Sequence, residues 1–130
     1  MASGPGVAKA CDALDMWLGN GGTVRLWTVA PDFDGTGGTE SVPGGGAPTA
    51  TFQPAVGGTG GQIAKATSTG AVTFAVVPDD SSDIVALSVH DPSDDSLIAI
   101  DRAFTAPGAG WSAGDSPQLA YVSIPFVPVS

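Results

Sequence analysis

The chain is 130 residues long, enough for one domain with a single core, and 42% of it is apolar against only 13% charged. Charged residues usually make up about a quarter of a chain, so this one is too apolar to be disordered and too thinly charged for an ordinary free-standing surface. Thirteen carboxylates outnumber four basic residues, Lys9, Arg25, Lys65 and Arg102, and the net charge of −9 argues against a nucleic-acid footprint and against an anionic membrane surface.

At the N-terminus there is no basic region followed by an apolar stretch, and no apolar run approaches the roughly 18–20 residues of a membrane span. The chain is therefore expected to stay in the cytoplasm until it is assembled. Val7, Cys11, Leu14 and Leu18 recur at i, i+4, i+7 and i+11 and predict a helix of about three turns, its stripe packed on β-layers. Gly4-Pro5 precedes this helix and Gly19-Asn20-Gly21-Gly22 ends it, where a C-terminal glycine takes the left-handed conformation. Cys11 is the only cysteine, which excludes an internal disulfide and a thiolate metal cluster, and its place on the stripe makes it a small core residue.

From Thr23 the period becomes two, with Val24 and Leu26 on one face and Arg25, Trp27 and Val29 on the other. Further runs rich in β-branched and aromatic residues are Ala71 to Val77, Asp83 to Val89, Ser96 to Phe104 and Gln118 to Val127, each closed by turn residues. Short strands at intervals of about ten residues predict a mainly β fold: one antiparallel β-sandwich or barrel-like domain over 1–130. One short N-terminal helix with its cap fills residues 1–22, and long Gly/Pro-rich loops join the strands. Residues 31–61 read as a glycine-rich loop region with Pro48 to Phe52 as its only strand, ordered mainly by contact with neighbouring proteins.

Gly110-Trp111-Ser112-Ala113-Gly114 matches the G-x-S-x-G nucleophile elbow. That motif requires a strand-to-helix turn in a large α/β sheet, followed by an acid and then a histidine. Here the single histidine, His90, lies upstream and no helix follows, so the plain reading is a glycine turn presenting Trp111. Asp32-Phe33-Asp34-Gly35-Thr36-Gly37-Gly38-Thr39-Glu40 spaces oxygen ligands as a calcium loop does, but Pro43 stands at the twelfth position in place of the bidentate Glu. Asp32, Asp34 and Glu40 are thus weak metal candidates against the reading of an acidic turn. The clusters Asp79-Asp80-Asp83 and Asp91-Asp94-Asp95 read as solvated loop tips. The glycine runs at 35–38 and 57–61 lack the lysine of a phosphate loop and are connectors. His90 has no second His or Cys and reads as a hydrogen-bonding residue at a strand end. Of the three tryptophans, Trp27 and Trp111 are expected contact anchors, with Arg25 as the third interface residue.

Read end to end, these features resemble a family of short phage virion proteins often labelled phage tail fibre protein. The resemblance rests on the helix Val7 to Leu18, the strand Thr23 to Val29 with Ala30-Pro31, and the loop Gly37-Gly38-Thr39-Glu40. In the second half it rests on Ile84 to His90 with Asp91, Leu97 to Thr105, Gly114-Asp115 and Leu119 to Val127. After Gly44-Gly45-Gly46 the chain departs from the family, with Ala47-Pro48-Thr49 where a tyrosine and a basic residue are usual. The resemblance implies a non-enzymatic structural protein of a tailed-phage virion, without cofactor. Long shafts need internal repeats, which this chain lacks, so an exterior capsid decoration (minor capsid) protein is favoured over a minor tail or tail-fibre component. Its implied partners are further copies of the chain in a closed homo-oligomer, expected as a trimer, and the major capsid protein or tail proteins. From other classes, a calcium- or carbohydrate-binding module is the alternative, followed by a small hydrolase.

Overall fold

The computed structural model describes residues 5–126; Gly4 and Val127, assigned above to the helix entry and the last strand, lie outside the described residues. In chain order these residues form α1 (Val7–Trp17), β1 (Gly22–Val29), β2 (Thr39–Ser41), β3 (Thr49–Ala50), β4 (Val56–Gly57), β5 (Ala64–Thr67) and β6 (Val72–Thr73). A single 3-10 turn at Ser81–Asp83 precedes β7 (Ala86–His90), β8 (Leu97–Asp101), β9 (Gln118–Leu119) and β10 (Ser123–Phe126).

α1 forms where expected, but its buried face is rotated. Ala10 and Leu14 are fully enclosed, Leu18 nearly so and Cys11 partly, whereas Val7 at the first turn is 53% exposed. The buried face follows Ala10, Leu14 and Leu18, where α1 packs on β4 and β5, and Val7 lies at its margin beside Gly57. The glycine assignment also shifts. Leu18 caps the helix with φ −98°, and the left-handed residue is Gly21 (φ 80°), whose N–H donates to the carbonyl of Leu18. A Cβ on Gly21 would stand 2.6 Å from the carbonyl oxygen of Ala50, and one on Gly22 would collide with Val89. These glycines let the chain leave the helix and enter the sheet at close range.

β1 is the centre of the main sheet, whose order is β2-β1-β7-β8, with β3 sharing the β2 edge of β1. All its pairings are antiparallel. The register sets Val24 opposite Val89 and Leu26 opposite Leu87, so four apolar side chains of two strands occupy one face. That face meets a second sheet, β10-β5-β4, and a two-stranded ribbon of β6 and β9. Between them one continuous core joins Leu14 and Leu18 of the helix to Phe74, Ala64, Ala66 and Ile124. Enclosing each large side chain contributes about 1.5–3 kcal/mol, which is why these positions hold the layers together. The result is a mainly β, sandwich-like arrangement that does not close into a barrel.

Several strands are shorter than their apolar runs suggested. The 71–77 run yields only β6; beyond it Phe74 and Val77 donate to the carbonyls of Pro117 and Asp115 as isolated links. The 83–89 run opens with the 3-10 turn, and the 118–127 run breaks into β9 and β10. Residues 31–61 differ most from expectation. They contribute β2, β3 and β4, all paired within the chain, and they bury Pro31 and Ser41. The segment pairs through its backbone with β1 and β5 on either side of it in sequence, which glycine-rich composition concealed.

Candidate functional site

The alternation of β1 that buries Val24 and Leu26 sends Arg25 and Trp27 to the opposite face of the main sheet. β7 sends Ser88 and His90 to the same face, and the β1–β7 register places Arg25 beside Ser88 and Thr23 beside His90. β2 brings Glu40 opposite Trp27. Every residue of β7 is buried, so both faces of this strand are covered, the outer one by its own neighbours' side chains.

A hydrogen-bonded chain runs across that outer face. The Trp27 indole N–H donates to Ser88 Oγ at 2.7 Å, Ser88 Oγ lies 2.8 Å from His90 Nε2, and His90 Nδ1 lies 3.0 Å from the carbonyl oxygen of Asp95. An indole nitrogen can only donate and a carbonyl can only accept, so Trp27 donates to Ser88 and His90 Nδ1 donates to Asp95. With a neutral imidazole, Nε2 accepts the Ser88 hydroxyl. The Trp27 and His90 rings lie with centroids 6.3 Å apart.

Asp95 joins this chain to an ion pair. It has φ 61°, the one non-glycine positive φ among the described residues, and that backbone turn offers the carbonyl to His90 and the carboxylate to Arg25. Arg25 reaches Asp95 at 2.8 Å and both oxygens of Glu40 at 3.1 and 3.0 Å. Partial burial by itself lowers the Arg25 pKa, but the hydrogen bonds and charges of Asp95 and Glu40 outweigh it, and the guanidinium is held above its ordinary value.

Ser88, His90 and Asp95 are the three residue types of a hydrolytic triad, in a different geometry. Ser88 is closed to solvent and accepts the Trp27 N–H. The carboxylate of Asp95 stands 4.0 Å from His90 Nδ1 while Arg25 holds it at 2.8 Å. Ser112 sits apart from this chain. Its N–H donates to Asp115, the neighbouring Ala113 N–H donates to Asp80, and the N–H of Trp111 donates to Ser81, so the 110–114 turn is tied to the 80–83 loop. Both ring nitrogens of His90 are engaged elsewhere.

The weak metal candidates do not converge. Glu40 gives both oxygens to Arg25, and Asp34 accepts the hydroxyl and N–H of Thr36 within its own turn, which holds its carboxyl below the usual range. The Asp32 N–H donates to the carbonyl of Thr36 to close the same turn. Among the described residues no three His, Cys, Asp or Glu side chains gather to hold a metal ion.

Of the expected contact residues, Trp27 is 7% exposed and Arg25 is paired twice within the chain. The reason is the short lateral reach of the sheet: Glu40 and Ser88 stand on the strands either side of β1. Trp111 is half-buried against the core, with its indole N–H enclosed and without a partner among the described residues. The tryptophan beside open surface is Trp17, 41% exposed and stacked on Phe126 with centroids 5.8 Å apart. Sequence reasoning passed over the Ser88–His90 pair. Its signal was two polar residues spaced by two inside an otherwise apolar strand.

The fold and site define a small antiparallel β protein with a closed polar network on one sheet face. No protein-family model matches the chain, and searches of curated proteins and of solved structures return no match.

Proposed function

We propose that the chain is a non-enzymatic structural protein of a tailed-phage virion, seated on the capsid exterior as a decoration protein. One observation carries this reading: a weakly charged chain leaves large apolar side chains in the open, with Met16 73%, Phe33 77% and Tyr121 64% exposed. Apolar surface of this kind is usually covered in an assembly. The turn pattern shared with short phage virion proteins supports the same reading, as does the use of Ser88, His90 and Asp95 as mutual hydrogen-bond partners. Decoration suits a sandwich-like domain without internal repeats better than a shaft does. Copies of the chain, as a closed trimer, and the major capsid protein are the partners proposed for the exposed apolar residues.

The test is reconstruction of the virion at a resolution that traces this chain. We expect its density on the capsid exterior in symmetric self-contact. Density on the tail would transfer the reading to a minor tail component; density inside the capsid, or none in the particle, would overturn it.

A further inference from the structure

The antiparallel register sets Asp101, the last residue of β8, directly opposite Leu87 of β7. Residues opposite each other in a sheet point to the same face, and Leu87 belongs to the buried core. The Asp101 side chain therefore stands on the inner face of the main sheet, where the preceding inward residue of β8 is Ala99, opposite Val89. It lines a cavity of about 280 Å³ with Leu87 and Val122 at the floor, Phe104 as a wall and Tyr121, 64% exposed, at the mouth. Asp101 is the one charged residue of this lining. Ser123 of β10 closes one side, and it pairs with Thr67 while Phe126 pairs with Ala64, so the cavity lies at the end of β10 away from Phe126.

One oxygen of Asp101 accepts the N–H of Ala103 at 2.9 Å, a bond that an uncharged asparagine oxygen would make equally well. The charge has no partner of its own: among the described residues no cation pairs with Asp101. Arg25 is held by Glu40 and Asp95, and the adjacent Arg102 by the carbonyl of Pro31 and the Phe33 ring, 4.4 Å from its centroid. A carboxylate set among apolar walls gives up hydration, and a cation that donates hydrogen bonds restores the loss most fully. We propose that this cavity receives a lysine or arginine side chain of a partner protein. Its methylene stem would lie along Phe104 and Val122, and its charged head between Asp101 and the Tyr121 ring. Small-molecule sites run from roughly 300 to 1,000 Å³, so a cavity just below that range suits a single side chain. The net charge of −9 draws a basic partner and disfavours a second copy of the chain. A basic partner would dock here whether or not the chain belongs to a virion.

The experiment titrates the whole chain, followed by its amide resonances, with end-blocked Gly-Lys-Gly and Gly-Arg-Gly and with Gly-norleucine-Gly, which keeps the apolar stem without the charge. We expect at least one cationic peptide to bind about fivefold or more tighter than the norleucine peptide at low salt, the gap closing as salt rises. The shifted amides should be those of Ala103, Phe104 and Val122. Asp101→Asn, which keeps an acceptor for the Ala103 N–H, should bring the cationic peptides down to the norleucine level. Tyr121→Ala, at an exposed position, should weaken them about twofold or more. Should Asp101→Asn fail to fold, the norleucine comparison and Tyr121→Ala decide. Equal binding of all three peptides, binding of none, undiminished binding to Asp101→Asn, or shifts centred on the acidic turns at 79–83 and 91–95 would each overturn the proposal.

Discussion

The indole N–H of Trp27 meets the hydroxyl of Ser88 at 2.7 Å inside the protein, across 61 residues of sequence. This contact ties the central strand β1 to its neighbour β7 on the face away from the core. Removing the hydroxyl in Ser88→Ala leaves both the Trp27 N–H and His90 Nε2 without a partner in a closed space. We expect a loss of about 1–3 kcal/mol, the usual cost of stranding buried polar groups, measured by urea denaturation. An unchanged midpoint would mean that the network is not maintained in solution.

The helix gives a contrast between two members of one apolar stripe. Leu14→Ala should cost about 2–4 kcal/mol because its side chain is fully enclosed, whereas Val7→Ala, at a half-exposed position, should stay within about 0.5 kcal/mol. Equal effects in thermal or denaturant melts would contradict the observed rotation of the helix.

Arg25 serves two carboxylates of unequal burial, Glu40 at 17% side-chain exposure and Asp95 at 64%. A double-mutant cycle of Arg25→Met with Glu40→Gln should give a coupling of about 1 kcal/mol, and the cycle with Asp95→Asn a smaller one, since solvent screens the exposed partner. The reverse ranking would indicate that the Asp95 turn, not β2, positions the guanidinium.

Asp34 and Asp94 each accept a hydroxyl and an N–H from the residue two positions on, Thr36 and Ser96, and both are held below the usual carboxylate range. Folded carboxyls that ionise more readily than unfolded ones contribute stability above the unfolded pKa of about 3.9, and that contribution is lost as pH falls through the lower folded value. We therefore expect the Ser96 amide resonance to titrate with a midpoint below about 3.9. Asp94→Asn keeps an acceptor oxygen but cannot titrate, so its Ser96 resonance should be flat over the same range. A midpoint at or above the unfolded value would remove the basis for both turns.

The proposal of a non-enzymatic protein also predicts that the purified chain turns over neither esters nor peptides. Ser112 is held in a glycine turn by Asp115, and the one histidine is bonded to Ser88 and Asp95. Ester hydrolysis that disappears in Ser112→Ala would refute it.

Local patterns were enough to read the mainly β class, α1, the alternation of β1 and the positions of β7 and β8. Each is written in a periodicity of 3.6 or two that a handful of neighbouring residues carries by itself. β2, β4 and β5 escaped notice because segments of two to four residues such as Thr39–Ser41, Val56–Gly57 and Ala64–Thr67 have no local signature; they become strands only where a partner edge satisfies their backbone. The polar network shows the same division. Alternation placed Arg25 and Trp27 on the face away from the core, and from there they could have served a partner protein or the chain itself. The antiparallel register, pairing Arg25 with Ser88 and Trp27 with Glu40, turned them inward. Phe33, Trp17 and Leu97 likewise line one groove from a loop, a helix and β8. Their meeting depends on long-range pairing, and no local sequence window contains all three.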